Sequence, residues 1–195
     1  MIVERYMQRE VTTVTPETSL AEVRRVMEEH GFGLLLIVSS EGRLEGFVTR
    51  GALKEISDWD MPVERVGHPA RFAVHPSDTL EKAALIMLEN RLVLLPVAEE
   101  ERLIGVITQS EILRGLANGL GIGEEATRFT IPVADDGEAI YAVLDILRQH
   151  GARLVSLAQE RRVGGRSELI VRAQSIGDKE ALRSALERAL SSAAV

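Results

Sequence analysis

The sequence has 195 residues, of which 45% are hydrophobic and 27% charged, and its formal net charge is −7. This length predicts one large or two small globular domains. The acidic balance argues against nucleic-acid binding, which depends on Lys and Arg, and the absence of cysteine excludes a disulfide framework and a thiolate zinc site.

The longest apolar run is Leu34–Val38, far shorter than the roughly 20 residues of a membrane-spanning helix. The first residues lack the basic and apolar regions of a signal peptide. We therefore expect a cytoplasmic protein that contacts neither a membrane nor a nucleic acid.

The first 116 residues contain a repeat with an offset of 60 residues, in which 15–20 matches 75–80. After the next turn the offset falls to 59, so Gly46–Thr49 matches Gly105–Thr108. Each copy predicts a short strand (Val11–Thr15, Phe72–His75), a helix capped by Ser19 or Thr79, two strands around a polar turn and a final helix. Two such units would bury a shared core.

These motifs resemble a tandem pair of cystathionine-β-synthase (CBS) domains. The resemblance is carried by the Val3–Met7 lead-in, the Pro-x-x-Ser/Thr-Leu helix start and the Gly-h-h-Thr end of each copy (h is apolar). It implies repeat 1 at 1–60 and repeat 2 at 61–117. It also implies a regulatory module that binds AMP, ADP, ATP or S-adenosylmethionine in clefts between the repeats, with no other cofactor.

The family's ligand pattern is Gly-h-h-Thr/Ser-x-x-Asp, in which the hydroxyl and the helix N-terminus bind phosphate and the carboxylate binds the ribose hydroxyls. Repeat 2 has Glu111 at the acidic position, whereas repeat 1 has Ala52. The resemblance therefore predicts an adenosine site formed by Ala73, Val74, His75, Leu95, Pro96, Val97, Thr108 and Glu111. A second cleft would use Thr13, Val14, Thr49 and Arg50, with Arg50 offering its charge to a phosphate.

The same Thr and Glu pattern has a structural interpretation. A Thr that precedes a helix caps it, and an acid in the first turn complements the helix dipole. A ligand-free structural or assembly module is therefore the alternative to a sensor.

The C-terminal third has a different pattern. Residues 118–126 are glycine-rich and predict a linker. Strands at Phe129–Ala134, Leu154–Ala158 and Leu169–Ala173 then alternate with a helix capped by Asp136 and a last helix that starts at Asp178. The turn between the second and third strands lies at Gly164-Gly165. This is the β-α-β-β-α order of a ferredoxin-like unit.

The region 127–195 resembles an ACT domain, which implies a small-molecule sensor with an amino-acid site near Asp136, Gly137 and Ala139. The family's fourth strand would begin where the sequence ends. A packing and dimerisation role is therefore the alternative, because an incomplete sheet exposes an edge that a partner covers.

No catalytic pattern is present in the sequence. His30, His68, His75 and His150 are not spaced as metal ligands, and there is no nucleophile elbow or phosphate-binding Gly-Lys-Ser/Thr loop. We expect a non-catalytic, metal-free α+β protein, a CBS pair followed by a ferredoxin-like domain. It would form a homodimer and act on a regulated enzyme. The domain combination is similar to an acetoin-utilisation family, which implies a link to acetoin metabolism.

Overall fold

A computed structural model of the protein describes residues 1–133, 138–161, 167–174 and 178–191, and they form two units, Met1–Gly115 and Leu116–Val195. The helices are α1 Leu20–His30, α2 Leu80–Asn90, α3 Gln109–Gly119, α4 Glu138–Gln149 and α5 Lys179–Ser191. The strands are β1 Thr13–Val14, β2 Leu34–Val38, β3 Leu44–Thr49, β4 His68–Pro69, β5 Leu94–Glu99, β6 Arg102–Thr108, β7 Thr127–Val133, β8 Arg153–Arg161 and β9 Ser167–Gln174. The predicted mixed α+β class is confirmed. No helix among the described residues is both long and apolar enough to cross a membrane.

The first helix of each repeat begins and ends as the sequence predicts. The Ser19 hydroxyl accepts a hydrogen bond from the Glu22 N–H, and the Thr79 hydroxyl accepts one from the Lys82 N–H. Gly31 ends α1 in the left-handed conformation at a φ of 71°. Helix α2 ends in the same way at Arg91, with a φ of 54°, although a residue with a Cβ is disfavoured there.

The second helix differs between the repeats, which corrects one prediction. Repeat 2 forms the full helix α3, but repeat 1 forms only a four-residue 3-10 helix, Arg50–Leu53. Gly51 in its first turn has low helix propensity. The predicted first strands are also shorter, since β1 has two residues and the matching segment of repeat 2 forms a single parallel bridge, Val74 to Val97.

The two repeats pack their sheets against each other. The sheet of repeat 1 has the strand order β1-β2-β3-β4, in which β4 comes from the start of repeat 2. Repeat 2 has the β5-β6 hairpin flanked by the Val74–Val97 and Gln8–Val106 bridges. Leu36 and Val38 of repeat 1 and Val106 of repeat 2 belong to one buried cluster. The predicted shared core is therefore present.

The lead-in segments are exchanged between the repeats. The Val3 N–H donates to the Asp78 carbonyl at 2.8 Å in repeat 2, while the Val63 N–H donates to the Thr18 carbonyl at 2.8 Å in repeat 1. Val3 and Val63 are both completely buried, and Val63 belongs to the core of repeat 1. Each repeat is therefore completed by the segment that precedes the other one.

The second unit is a three-stranded antiparallel sheet in the order β7-β9-β8. Buried side chains of the sheet and of both helices form its core, including Val143 of α4, Val171 of β9 and Leu182 of α5. The Asp178 carboxylate caps α5, because its Oδ1 accepts from the Glu180 N–H at 2.9 Å. The predicted positions Ala134, Asp136, Gly137, Gly164 and Gly165 lie outside the described residues.

The segment predicted as a glycine-rich linker packs on the sheet of this unit. The Ser156 hydroxyl of β8 donates to the Leu120 carbonyl at 2.8 Å. Gly121 is buried with a φ of 63°, and a Cβ there would overlap the Val155 side chain. This glycine is therefore required both for its backbone conformation and for its close approach to β8.

Candidate functional site

A cavity of about 420 Å³ lies between the two repeats, a volume typical of small-ligand sites. Its walls come from β2 and β3 of repeat 1 and from the segments 68–72 and 91–96 of repeat 2. The lining residues are Leu34, Leu36, Phe47, Thr49, His68, Pro69, Ala70, Arg71, Phe72, Arg91, Leu92, Val93, Leu94, Leu95 and Pro96. Apolar side chains dominate, so the cavity suits a ligand with a flat apolar part.

Few polar side chains line this cavity. The Thr49 hydroxyl caps the 3-10 helix by accepting from the Ala52 N–H at 3.3 Å. The ionisable lining residues are His68, Arg71 and Arg91, all exposed, and the described residues that line the cavity include no acid. An anionic group would therefore meet favourable charge here.

Only part of the residue set predicted for the repeat 2 cleft lines this cavity. Leu95 and Pro96 line it together with Thr49, but Thr108 and Glu111 are not among its lining residues. This arrangement follows from the packing of the sheets, because Leu95 and Pro96 of β5 and Thr49 at the end of β3 line the same cavity.

The other predicted residues of that cleft lie elsewhere. Val74 and Val97 are buried and pair with each other. Ala73 lines a separate surface depression with Arg43 and Glu101. His75 is exposed, with its Nδ1 2.7 Å from the Ser77 hydroxyl and its Nε2 3.5 Å from the Glu99 carboxylate.

Of the four residues predicted for the second cleft, Thr49 lines the cavity, and the structure places the other three elsewhere. Thr13 is exposed on β1 and Val14 is buried in the core of repeat 1. The Arg50 guanidinium donates to the carbonyls of Met27 at 3.2 Å and Phe32 at 2.8 Å, at the C-terminal end of α1. Arg50 thus stabilises a helix end, where cations are favoured.

Glu111 is held within a network of the protein's own groups. Its Oε1 accepts from the Gln8 side chain at 2.9 Å, and its Oε2 accepts from the Thr108 N–H at 3.1 Å and from the Thr108 hydroxyl. Only 6% of the residue is exposed. Burial acts to raise the pKa of Glu111, but the hydrogen bonds from Thr108 and Gln8 outweigh it and hold the pKa below its usual value.

This network is a capping box at the start of α3, since Thr108 also accepts from the Ser110 N–H at 3.3 Å. Sequence reasoning anticipated the cap but not the third member, Gln8. Gln8 matches His68 at the offset of 60 residues, so the repeat itself was the only sequence feature that pointed to this position.

The predicted amino-acid site is only partly described. Asp136 and Gly137 lie outside the described residues, and Ala139 is buried in the core of the second unit. Within the described residues, no group of three or more His, Asp or Glu side chains could hold a metal ion.

Two segments of this chain match a known domain family. The CBS domain family matches residues 3–57 and 63–118, more than half of the chain. This chain belongs to the CBS-domain family. CBS-domain pairs are regulatory ligand-binding modules, so the general class predicted from the sequence is confirmed.

Curated relatives of this CBS-domain protein are longer. It is 28% identical to inosine-5′-monophosphate dehydrogenase of Korarchaeum cryptofilum, covering 95% of this chain and 41% of the relative. It is 31% identical to the uncharacterised protein MJ1225 of Methanocaldococcus jannaschii, covering 60% of this chain and 47% of that protein. The chain thus spans less than half the length of these relatives.

Solved structures share the fold of the CBS pair. A proposed acetoin utilization protein (AcuB) from Vibrio cholerae matches with a TM-score of 0.57 at 26% identity, over 65% of this chain and 98% of that one. A CBS domain pair/ACT domain protein from Thermotoga maritima also gives 0.57 at 26% identity, over 62% of this chain and 99% of that one. The predicted tandem CBS pair and its similarity to AcuB are confirmed.

Proposed function

We propose that this CBS-domain protein is a regulatory sensor that binds an adenosine-containing ligand in the cavity between its repeats. The observation that carries the proposal is the cavity of about 420 Å³. Phe47, Leu94 and Pro96 offer apolar surface to a nucleobase, while the Thr49 hydroxyl and the exposed arginines offer donors to polar groups. The motif resemblance supports adenosine as the ligand class.

The proposed site differs from the one that the sequence pattern favours. Beside Thr108, the Glu111 carboxylate is buried and both of its oxygens already accept hydrogen bonds from Gln8 and Thr108, which leaves it little capacity for a ribose. The cavity that Thr49 lines requires no such exchange. Leu95 and Pro96 are retained from the predicted set.

Isothermal titration with AMP, ADP, ATP and S-adenosylmethionine tests the proposal, with at least one dissociation constant expected below about 1 mM. Ala70→Trp adds an indole to a cavity wall and should abolish binding. Ala73→Trp is the matched control, because Ala73 does not line the cavity. Thermal unfolding of both variants checks that they fold. Failure of every ligand to bind, or full binding by Ala70→Trp, would contradict the proposal.

Self-association through repeat 2 is a further part of the proposed function. Four apolar side chains of repeat 2 are more than half exposed: Leu85 55%, Leu88 76%, Val93 63% and Leu113 67%. The matching positions of repeat 1 are Arg25, Glu28, Gly33 and Lys54. A concentration of highly exposed apolar side chains on one repeat favours a two-fold contact between identical surfaces.

Light scattering after gel filtration tests this dimer. Leu88→Lys should shift the protein to the monomer, whereas Glu28→Lys at the matching position of repeat 1 should leave the dimer intact. A wild-type monomer, or a Leu88→Lys dimer as stable as wild type, would rule out this surface.

An ACT-type sensor domain is the second candidate function. The observed β-α-β-β-α order of the second unit and the likeness to the Thermotoga maritima protein support it. A thermal-shift screen with free amino acids tests it, and stabilisation by one of them is expected if this domain is the sensor. By the likeness to AcuB, we propose a cytoplasmic regulator of an enzyme of acetoin utilisation.

A further inference from the structure

The outer face of the sheet in the second unit carries two arginines side by side. Phe129 and Val171 belong to the core between the sheet and its helices. Because side chains alternate between the two faces of a strand, the neighbouring Arg128 and Arg172 lie on the opposite face. These two residues are direct cross-strand partners in the pairing of β7 with β9. Like charges in this position destabilise a sheet, so this pair raises the free energy of the folded unit unless an anion compensates for it.

The Arg172 guanidinium has no acceptor among the described residues. Its Nε is buried without a hydrogen-bond partner, and within that part of the chain the residue forms no ion pair. The segment around Gly121 packs on it, since a Cβ at that glycine would lie 3.9 Å from the Nε. A buried charged donor without an acceptor is costly and rare in native proteins. The structure therefore indicates an acceptor beyond those that the described residues supply.

The acids of this face lie away from the arginine pair. The Glu124 carboxylate lies 3.7 Å from the Arg153 guanidinium, which it partners. Glu168 stands four residues before Arg172 on β9, in register with Glu160 of β8. The face thus has arginines at one end and glutamates at the other, although the whole chain carries a net charge of −7.

Both arginines keep donors for a ligand. The Arg128 Nη1 donates to the Thr130 hydroxyl at 2.6 Å, which uses one of the five N–H groups of a guanidinium. Directly opposed residues of antiparallel strands have Cα atoms about 4.5–5.5 Å apart, so the two guanidinium groups can converge on one group. The fork of an arginine matches the oxygens of a carboxylate or a phosphate. A single oxyanion would therefore relieve the repulsion and supply the missing acceptor.

We propose that Arg128 and Arg172 form a second ligand site, which binds a small oxyanion, a carboxylate or a phosphate group, on the outer face of this sheet. The site shares no residue with the cavity between the repeats, and the inference does not rest on the proposed adenosine site. Binding stabilises the second unit, because the anion accepts hydrogen bonds from both guanidinium groups.

Titrations with inorganic phosphate and with succinate test the inference, with sodium chloride added to hold the ionic strength constant. The Arg172 Nε–H signal in heteronuclear NMR spectra, assigned by its loss in Arg172→Gln, should shift with either anion. The thermal midpoint should rise as well, because the ligand binds the folded state. Neutral succinamide should change neither. A response to one anion alone supports the site and identifies its group, whereas no response to either would overturn the inference.

Substitution of each arginine separates a ligand site from a structural pair. Arg172→Gln should abolish the rise of the thermal midpoint, and Arg128→Gln should weaken anion binding about tenfold. Without anion, Arg128→Gln should be at least as stable as wild type, because the like-charge contact is removed. Arg148→Gln, at an exposed arginine of α4, is the matched control and should respond as wild type does. An unchanged anion response in both Arg128→Gln and Arg172→Gln would overturn the assignment.

Ala70→Trp distinguishes this site from the cavity between the repeats. The variant should keep its response to phosphate, because Ala70 lines the cavity and not the sheet face. If Ala70→Trp loses the response while Arg172→Gln keeps it, the anion binds in the cavity and the inference fails, but the adenosine site stands. If no adenosine ligand binds while phosphate binding still requires Arg172, the proposed function fails and the inference holds.

Discussion

The two repeats have the same scaffold but complete it with different chemistry. In repeat 2, Thr108 is followed by Glu111, and Gln8 closes a buried hydrogen-bond network around the carboxylate. In repeat 1, Thr49 lines an apolar cavity, and Ala52, at the position that matches Glu111, packs against the core of the repeat. A duplicated fold can thus close one copy of a motif into a buried hydrogen-bond network while the other copy faces a cavity.

The substitutions with the largest expected effect on stability test whether the two repeats fold as one unit. Leu20 and Leu80 occupy matching positions and are both completely buried, so each change to Ala should cost about 2–5 kcal/mol. Trp59, the single tryptophan, packs on the core of repeat 1. Urea titrations followed by its fluorescence should register both variants. An unchanged Trp59 transition in Leu80→Ala would mean that the repeats unfold independently.

The Glu111 network should contribute the next largest effect. Glu111→Ala leaves Gln8 and the Thr108 N–H without their acceptor and should cost about 1–3 kcal/mol. Glu55→Ala, at an exposed acid that follows the 3-10 helix of repeat 1, is the control and should leave stability nearly unchanged. Equal losses in the two variants, measured by urea denaturation, would show that the network contributes nothing specific.

The same carboxylate predicts a dependence on pH. Because the pKa of Glu111 is lowered in the folded state, its contribution is complete above the unfolded pKa of about 4.3. Below that value the unfolded state binds more protons, so this stability is lost as the pH falls through the folded pKa. Unfolding midpoints of wild type and Glu111→Ala should therefore converge in acid, and parallel curves would contradict the assignment.

Substitution of Gly46 or Gly105, each three residues before the threonine of its repeat, should lower stability by a similar or smaller amount. A Cβ at Gly105 would lie 2.6 Å from the Gln8 carbonyl oxygen, and one at Gly46 would overlap the His68 carbonyl oxygen. Each change to Ala should cost about 1–3 kcal/mol. Gly33→Ala is the control, since nothing lies within 4 Å of its Cβ position. Thermal unfolding of the three variants decides the matter.

The smallest expected effect concerns the exposed face of α1. Arg25 pairs with Glu22 at 2.7 Å and with Glu29 at 3.0 Å, but exposed ion pairs contribute little to stability. Arg25→Ala should leave the thermal midpoint unchanged within error. The residue of repeat 2 that matches Arg25 is Leu85. Light scattering of Arg25→Leu therefore tests whether an added apolar side chain on repeat 1 promotes higher oligomers.

The local patterns of the sequence predict the elements of each repeat because they are set by neighbouring residues. The helix caps at Ser19 and Thr79 appear as expected. The failure at Arg50–Leu53 is also local, since Gly51 weakens the helix that the repeat led us to expect.

The candidate site was harder to predict because it depends on contacts between distant segments. The match of Val63-Glu64-Arg65 with Val3-Glu4-Arg5 is visible in the sequence. The exchange of these segments between the repeats, however, is determined by tertiary packing. The same exchange brings Gln8 to Glu111, 103 residues away. Local motif reasoning therefore found Thr49, Leu95 and Pro96 but assigned them to two different clefts.

The exchanged lead-ins also have a consequence for how the chain can be divided. Residues 1–8 supply hydrogen bonds to the Asp78 and Pro76 carbonyls and to β6, so trimming the N-terminus would damage the distant half of the pair and spare the adjacent one. A fragment that contains one repeat would carry a lead-in segment without the other repeat, to which that segment binds. It could close only by trading that segment with another fragment, so the intact module is the covalently joined form of a domain-swapped dimer.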